Sequence, residues 1–246
     1  MYETCSQETV KELCKSEKAF LDMERLIKTE ELYQLGKVCH EVGNQLTLVI
    51  SRMQILEENM PNVKEKKDWL VLRNNTNELS WLFRDVSRYS RGNELHKEKV
   101  DLLDLLEDVL MECEAEGEKE GLTFCVREKN TWLPAITDYE GDYIKLREVI
   151  QNLLKNAIEE VKERQGDKNI TIKVEGKEDG TVVLSIQNPL QEGKDFPDET
   201  IFNAFYTSKK RGSGLGLSIS KKIVEAHGGA LRLEKEDEEV VMKVCL

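Results

Sequence analysis

Residues 202–216 run Phe-Asn-Ala-Phe-Tyr-Thr-Ser-Lys-Lys-Arg-Gly-Ser-Gly-Leu-Gly. Aromatics, hydroxyls, cations and alternating glycines share this one short stretch. Gly212, Gly214 and Gly216 allow backbone to come close to a ligand, because no Cβ intervenes. Residues 218–227 then read as a helix that Gly228 and Gly229 stop. A helix N-terminus offers unpaired N–H groups and the positive end of a dipole, both suited to phosphate. Lys209, Lys210 and Arg211, just ahead of it, add charge-assisted contacts. The plain alternative is a flexible loop before an amphipathic helix. The aromatic-Thr-Ser-Lys lead-in favours nucleotide phosphates.

Two further groups of residues could complete such chemistry. Asn152 and Asn156 are one turn apart beside an apolar stripe of Leu146, Val149, Ile150, Leu153, Leu154, Ala157, Ile158 and Val161. Asparagine is a mediocre helix former, so two stacked carboxamides suggest a purpose other than helicity. An amide oxygen is a hard neutral ligand that suits Mg²⁺ bound partly by phosphate and water. Two polar residues on a solvated face are the alternative. The second group is His40-Glu41-Val42-Gly43-Asn44. A neutral imidazole is a competent nucleophile, Glu41 could hold one ring N–H, and Asn44 shares the face of His40 one turn on. A lone helical histidine usually does nothing, so His40 gains meaning only from the nucleotide site.

Composition bounds the rest. The chain has 246 residues and a net charge of −12. That acidity argues against a broad nucleic-acid or anionic-membrane face. Six cysteines occur without a Cys-x-x-Cys pair, and only three histidines accompany them, which speaks for ordinary packing over a zinc site. No signal peptide or 18-residue apolar run is present, so a cytoplasmic location is expected, alone or as the cytoplasmic part of a membrane-bound sensor.

Positioning these residues requires two kinds of architecture. Leu35, Cys39, Val42, Leu46, Val49, Met53 and Leu56 recur at spacings of four and three, a heptad seam. Pro61 breaks it. It resumes at Trp69, Leu72, Thr76, Leu79, Phe83 and Val86. The result is a helical hairpin, with His40 beside its seam. One hairpin cannot bury both stripes well, and a homodimeric four-helix bundle would. Upstream, Phe20, Met23 and Ile27 indicate a further helix, with a stutter before Leu32. Arg91-Gly92-Asn93 reads as a hinge. Beyond it, strands are expected at 99–101, 122–126, 135–137, 170–174, 182–186, 230–233 and 240–244. Helices are expected at 102–119 and 143–164. Strands on one side and helices on the other give a two-layer α/β sandwich. The expected domains are a helical or coiled-coil segment at 1–30, the hairpin at 31–92 and the sandwich at 93–246.

Taken in order, three motifs resemble the transmitter region of bacterial two-component sensor histidine kinases. Residues 35–46 resemble the family's H-box, 146–157 its N-box, and 202–217 its F-box and second G-box. The resemblance implies a Bergerat-type (GHKL) ATP-binding fold after the hairpin. It implies ATP and Mg²⁺ as cofactors, and a response-regulator receiver domain as partner. His40 would accept the phosphoryl group, Glu41 would assist, and Asn44 would support dephosphorylation of the partner. Asn156 would ligate Mg²⁺, with Asn152 and Lys155 near the phosphates. Phe205, Thr207, Ser208 and Lys209 would belong to a mobile lid, and Gly212, Gly214, Leu215 and Gly216 would line the triphosphate. His227 would be structural. Related ATPases such as DNA gyrase carry a water-activating glutamate where Asn152 stands, so transfer to a side chain is implied over hydrolysis. One departure stands out. After residues 182–186 the family usually has Asp-x-Gly-x-Gly, whose aspartate accepts from the adenine amino group. This chain has Asn188-Pro189-Leu190 there, an uncharged acceptor with neither glycine.

Three readings follow. In the first, the chain is an ATP-dependent protein-histidine kinase that passes phosphate from His40 to a receiver aspartate and supports the reverse, phosphatase direction. In the second, it is a phosphotransfer or scaffold protein with a degenerate ATP site. In the third, it is a superfamily ATPase or serine kinase, against which the His40 hairpin argues.

Overall fold

A computed structural model describes residues 7–90, 95–117, 121–128, 133–162, 166, 168–190, 196–207 and 212–246. The chain divides into two compact units, Met1–Gly92 and Asn93–Leu246. The expected hinge at Arg91-Gly92-Asn93 lies outside the described residues.

The first unit is a helical hairpin. Helix α1 spans Gln7–Asn59, and α2 spans Lys67–Ser90. Between them Pro61–Glu65 forms a 3₁₀ turn with proline at its start, where a missing N–H is tolerated. The upstream helix is not separate. α1 runs unbroken through the stutter, which shifts an apolar stripe around a helix without interrupting its backbone bonds.

At its closed end the hairpin is held by Glu57, whose carboxylate accepts from Trp69 Nε1 at 2.7 Å and from Arg73 Nη1 at 3.3 Å. Those hydrogen bonds hold the Glu57 pKa below its ordinary value, the Trp69 bond contributing most. At the other end α1 and α2 nearly touch. A Cβ added to Gly36 would stand 2.1 Å from Ser90 Oγ. The residues α2 buries are all small hydroxyls: Thr76, Ser80, Ser87 and Ser90. On the seam residues, Cys39 and Met53 are buried, but Leu35, Val49, Leu56, Leu72 and Leu79 stay exposed in the single chain.

The second unit is an α/β sandwich. Its main sheet runs β2(Thr123–Glu128), β4(Asn169–Gly176), β5(Val182–Pro189), β7(Glu239–Cys245) and β6(Ala230–Glu236) in that order. β2 pairs parallel with β4, and the remaining neighbours are antiparallel. Alternation puts Ile170, Ile172, Val174, Val182, Leu184 and Ile186 on the buried face. Helices α3(Leu102–Gly117), α5(Tyr143–Lys162) and α6(Gly216–Ala226) supply the opposing layer. α5 buries the whole predicted stripe from Leu146 to Val161. Tyr143 donates to Asp108 at 3.0 Å and Gln151 to Glu112 at 2.8 Å, which joins α5 to α3 along their exposed edge.

One predicted strand is a helix. Residues 135–137 belong to α4(Leu133–Thr137), and the short strand is β3(Tyr139–Gly141), paired with β1(Glu98–Val100). Pro134 suits a first helical turn, and its carbonyl accepts from the Asp138 N–H at 3.2 Å. That turn outweighs the β preference of Ile136 and Thr137, and Ile136 fills the core instead.

Asp142 and His227 tie these elements together. Asp142 begins α5, accepting from Lys145 N–H at 3.1 Å and from His96 N–H at 2.9 Å. Burial disfavours its charge, yet the backbone donors of His96 and Lys145 hold its pKa below the ordinary value. The Asp142 N–H in turn donates to His227 Nε2 at 3.0 Å, while His227 Nδ1 lies 2.8 Å from the Ile223 carbonyl. Nδ1 therefore carries the single proton of a neutral ring. Burial pushes the His227 pKa down, and the charges of Lys97 and Lys145 add to it, against the opposing pull of the Ile223 carbonyl and Asp142. The unfolded chain takes up a proton near pH 6.5 that the folded ring resists. Stability is therefore full above about pH 6.5 and falls as the pH drops below it, by at most about 1.4 kcal/mol per unit. Urea denaturation between pH 8 and 5 is expected to show this loss, and His227→Gln to flatten it. An unchanged slope in the variant would reject the assignment.

Candidate nucleotide-binding site

The glycine-rich segment ends in α6. Gly214 has φ +65, and a Cβ there would meet the Phe205 carbonyl carbon at 2.6 Å and the Tyr206 carbonyl oxygen at 2.7 Å. Both facts demand glycine: one is the left-handed backbone, the other a contact with main chain that cannot step aside. Phe205, itself at φ 65, lies against this glycine, so the start of the predicted lid is packed on the loop that precedes α6. Phe205 and Tyr206 present exposed rings, and Thr207 is exposed beside them. Gly212 is exposed, with Thr207 Oγ1 4.0 Å from the position of a Cβ. Ser208 and Lys209 lie outside the described residues. Lys221 Nζ sits 5.0 Å over the Phe202 ring, a cation–π contact that fixes α6 to the 3₁₀ turn at Glu199–Phe202.

The N-terminus of α6 has the features a phosphate needs. Its N-cap residue, Leu215, makes no side-chain cap, and its first turn holds no acid. Leu215 is fully buried and seats the turn. Ser213 Oγ accepts from Leu215 N–H at 3.2 Å, and Ser218 Oγ donates to the Leu215 carbonyl at 2.8 Å. The remaining N–H groups at this end are the ones a helix leaves for a ligand.

α5 supplies the second wall. Asn152 donates from Nδ2 to Ser220 Oγ at 2.9 Å. Its Oδ1 lies 2.3 Å from where a Cβ of Gly216 would be, so Gly216 must be small to admit Asn152. Asn156 is half-buried one turn further along α5, and Lys155 is exposed. Asn188 is buried in β5, with Nδ2 donating to the Pro189 carbonyl at 3.3 Å. That bond uses one of the two amide N–H donors, and the oxygen can accept.

On α1 of the hairpin unit, His40, Glu41 and Asn44 are all exposed. His40 Nδ1 and Asn44 Nδ2 are 3.3 Å apart, the contact that i,i+4 spacing predicts. Asn44 is thus within reach of the His40 ring through Nδ1.

Residues 141–246 match the family described as histidine kinase-, DNA gyrase B-, and HSP90-like ATPase. A structure of the catalytic domain of the histidine kinase ThkA is 30% identical, with a TM-score of 0.51, over 61% of this chain and 95% of that one. The chain belongs to the sensor histidine kinases. ThkA in complex with the response regulator TrrA matches 96% of this chain and 66% of that one, at 26% identity and a TM-score of 0.61. A putative sensor histidine kinase of Rickettsia felis, described as NtrY-like, is 27% identical over 94% of this chain. The chain spans 38% of the length of that relative.

Sequence reasoning missed Ser220. The signal was present: Gly216 and Ser220 repeat on α6 the one-turn spacing that Asn152 and Asn156 show on α5. Gly214→Ala is expected to destabilise the sandwich by about 1–3 kcal/mol, the range for forced overpacking and backbone strain. Gly212→Ala, at φ +135 but with nothing nearer its Cβ than Thr207 Oγ1 at 4.0 Å, bears backbone strain without the clash and is expected to lose less. Equal losses in chemical denaturation would show that the Gly214 packing is not retained in solution.

Proposed function

We propose that the chain is the transmitter of a two-component sensor: an ATP-dependent protein-histidine kinase that phosphorylates His40 and passes the group to an aspartate of a response-regulator receiver. The observation that carries this reading is the uncapped, acid-free N-terminus of α6, with Gly214 and Asn152 packed around its approach. The main-chain N–H groups there bind phosphate oxygens. Asn188 accepts from the adenine amino group through its oxygen, so loss of the aspartate charge does not remove base recognition. Asn156, with an amide oxygen, would hold Mg²⁺, which would supply neutralisation of the phosphate charge. The amide-only wall, free of a carboxylate base at Asn152, leaves water unactivated and favours transfer over hydrolysis.

In the transfer, the bond from the γ-phosphorus to its bridging oxygen breaks and a P–N bond to His40 Nε2 forms, with ADP leaving. Positioning supplies most of the rate. Asn44 holds the ring through Nδ1 and, in the reverse direction, orients the water that attacks the receiver's acyl phosphate. ThkA forms a complex with its response regulator, which supports a receiver as the partner here. Among the described residues no helix is long and apolar enough to cross a membrane. The protein acts in the cytoplasm, alone or as part of a longer sensor.

We assign the exposed seam of the hairpin to a second copy. Val49 and Leu79, each 46% exposed, lie on the stripes that a homodimeric four-helix bundle would cover. Sedimentation is expected to show a dimer, and Val49→Glu with Leu79→Glu to shift it to monomer. A wild-type monomer at micromolar concentration contradicts the bundle.

Incubation with γ-labelled ATP is expected to label the wild type with an acid-labile, base-stable phosphate, and His40→Gln to abolish labelling while keeping Mg-ATP affinity. Label retained by His40→Gln rejects the phosphoacceptor. Absence of Mg-ATP binding in calorimetry replaces the kinase with a phosphotransfer protein whose ATP site is degenerate.

A further inference from the structure

We infer that Ser220 is a positioning residue for the nucleotide site, because its hydroxyl holds the nitrogen of the Asn152 carboxamide and turns the oxygen of that group to the first turn of α6. The inference rests on the nucleotide reading above and adds a residue to it. Ser220 is 1% exposed on the buried face of α6, among Ile219, Ile223 and Val224. A hydroxyl so deeply buried is unfavourable without a partner. Its partner is Asn152 Nδ2 at 2.9 Å, 68 residues away in sequence. Ser218, on the same helix, serves only its own turn by donating to Leu215.

A carboxamide has two chemically opposite ends. With the oxygen toward the ligand, Asn152 attracts metal-bound water or a cation. With the nitrogen there it donates to phosphate oxygens and repels a cation. The Gly216 side selects the first state, and Ser220, whose hydroxyl can accept or donate, anchors it. Ser220 takes the nitrogen. Gly216, one turn earlier on α6, leaves room for the oxygen beside the positive end of the helix, where negative partial charge is favoured. Gly216 and Ser220 thus form a two-point cradle at i and i+4. An apolar residue at 220 would keep the core filled but free the amide to turn over.

The test uses the full chain. In amide NMR without nucleotide, the Asn152 side-chain protons are expected to be distinct and slow to exchange. In Ser220→Ala they are expected to move to solvent-exposed values. Unchanged signals overturn the inference. By calorimetry, Ser220→Ala is expected to weaken Mg-ATP binding about three- to tenfold, the effect of one hydrogen bond. ATP in EDTA should be affected less. In an Asn152→Ala background the same substitution is expected to have no further effect. An equal loss in both backgrounds shows a role in folding alone and overturns the inference, as does full affinity in Ser220→Ala. A wild type that does not bind Mg-ATP overturns the nucleotide reading itself, and with it the purpose assigned to Ser220. Wild-type binding with an unaffected variant overturns only the inference.

Discussion

The crossing of α5 over α6 is the constraint on which the sandwich depends. It is fixed at two places by polar contacts inside an otherwise apolar layer. At one, the Asn152 carboxamide lies between Gly216 and Ser220. At the other, His227 at the end of α6 receives the N–H of Asp142 at the start of α5. Apolar packing between two helices tolerates sliding by parts of an ångström. A hydrogen bond with a buried donor does not, because a lost partner leaves a desolvated group uncompensated. The helices are therefore held in register where the N-terminus of α6 must face the carboxamides of α5. The sheet supports this arrangement from beneath through the buried side chains of β4, β5 and β7.

Much of this was legible in the chain itself. The α5 stripe, the hairpin break at Pro61 and the strands of the main sheet follow from periodicity and turn residues, which are local properties. The glycine turn before α6 was also legible, because glycines and a following helix record backbone demands directly. What escaped was non-local. Ser220 looks like any helical serine until α5 is laid across it. Phe205 gives no hint of a left-handed backbone, since that conformation comes from its contact with the Gly214 region. The strand expected at 135–137 failed for a local reason: Pro134 can open a helix as readily as it can end a strand. Beside His40, the contact with Asn44 was legible from i,i+4 spacing.

The two units solve the burial problem differently. The sandwich fills its interior with Leu, Ile and Val from both layers, several of them fully enclosed. The hairpin brings α1 and α2 together across Gly36 and a row of serines and threonine. Two of those hydroxyls turn back to their own helix, Thr76 onto the Leu72 carbonyl and Ser90 onto the Ser87 carbonyl, while the buried Ser87 hydroxyl has no partner among the described residues. The close approach is thus achieved by removing side-chain volume, not by interlocking large apolar groups.

The row of hydroxyls has a thermodynamic consequence. Among the described residues, no apolar side chain of α2 is fully withdrawn from water within the chain. The hairpin gains little from folding on itself, so the second copy proposed to cover its outer stripes would supply most of its stability. Under that proposal dilution acts like a denaturant. The melting temperature of the hairpin would then be a function of how much of the protein is present, while that of the sandwich, whose core is complete in one chain, would not.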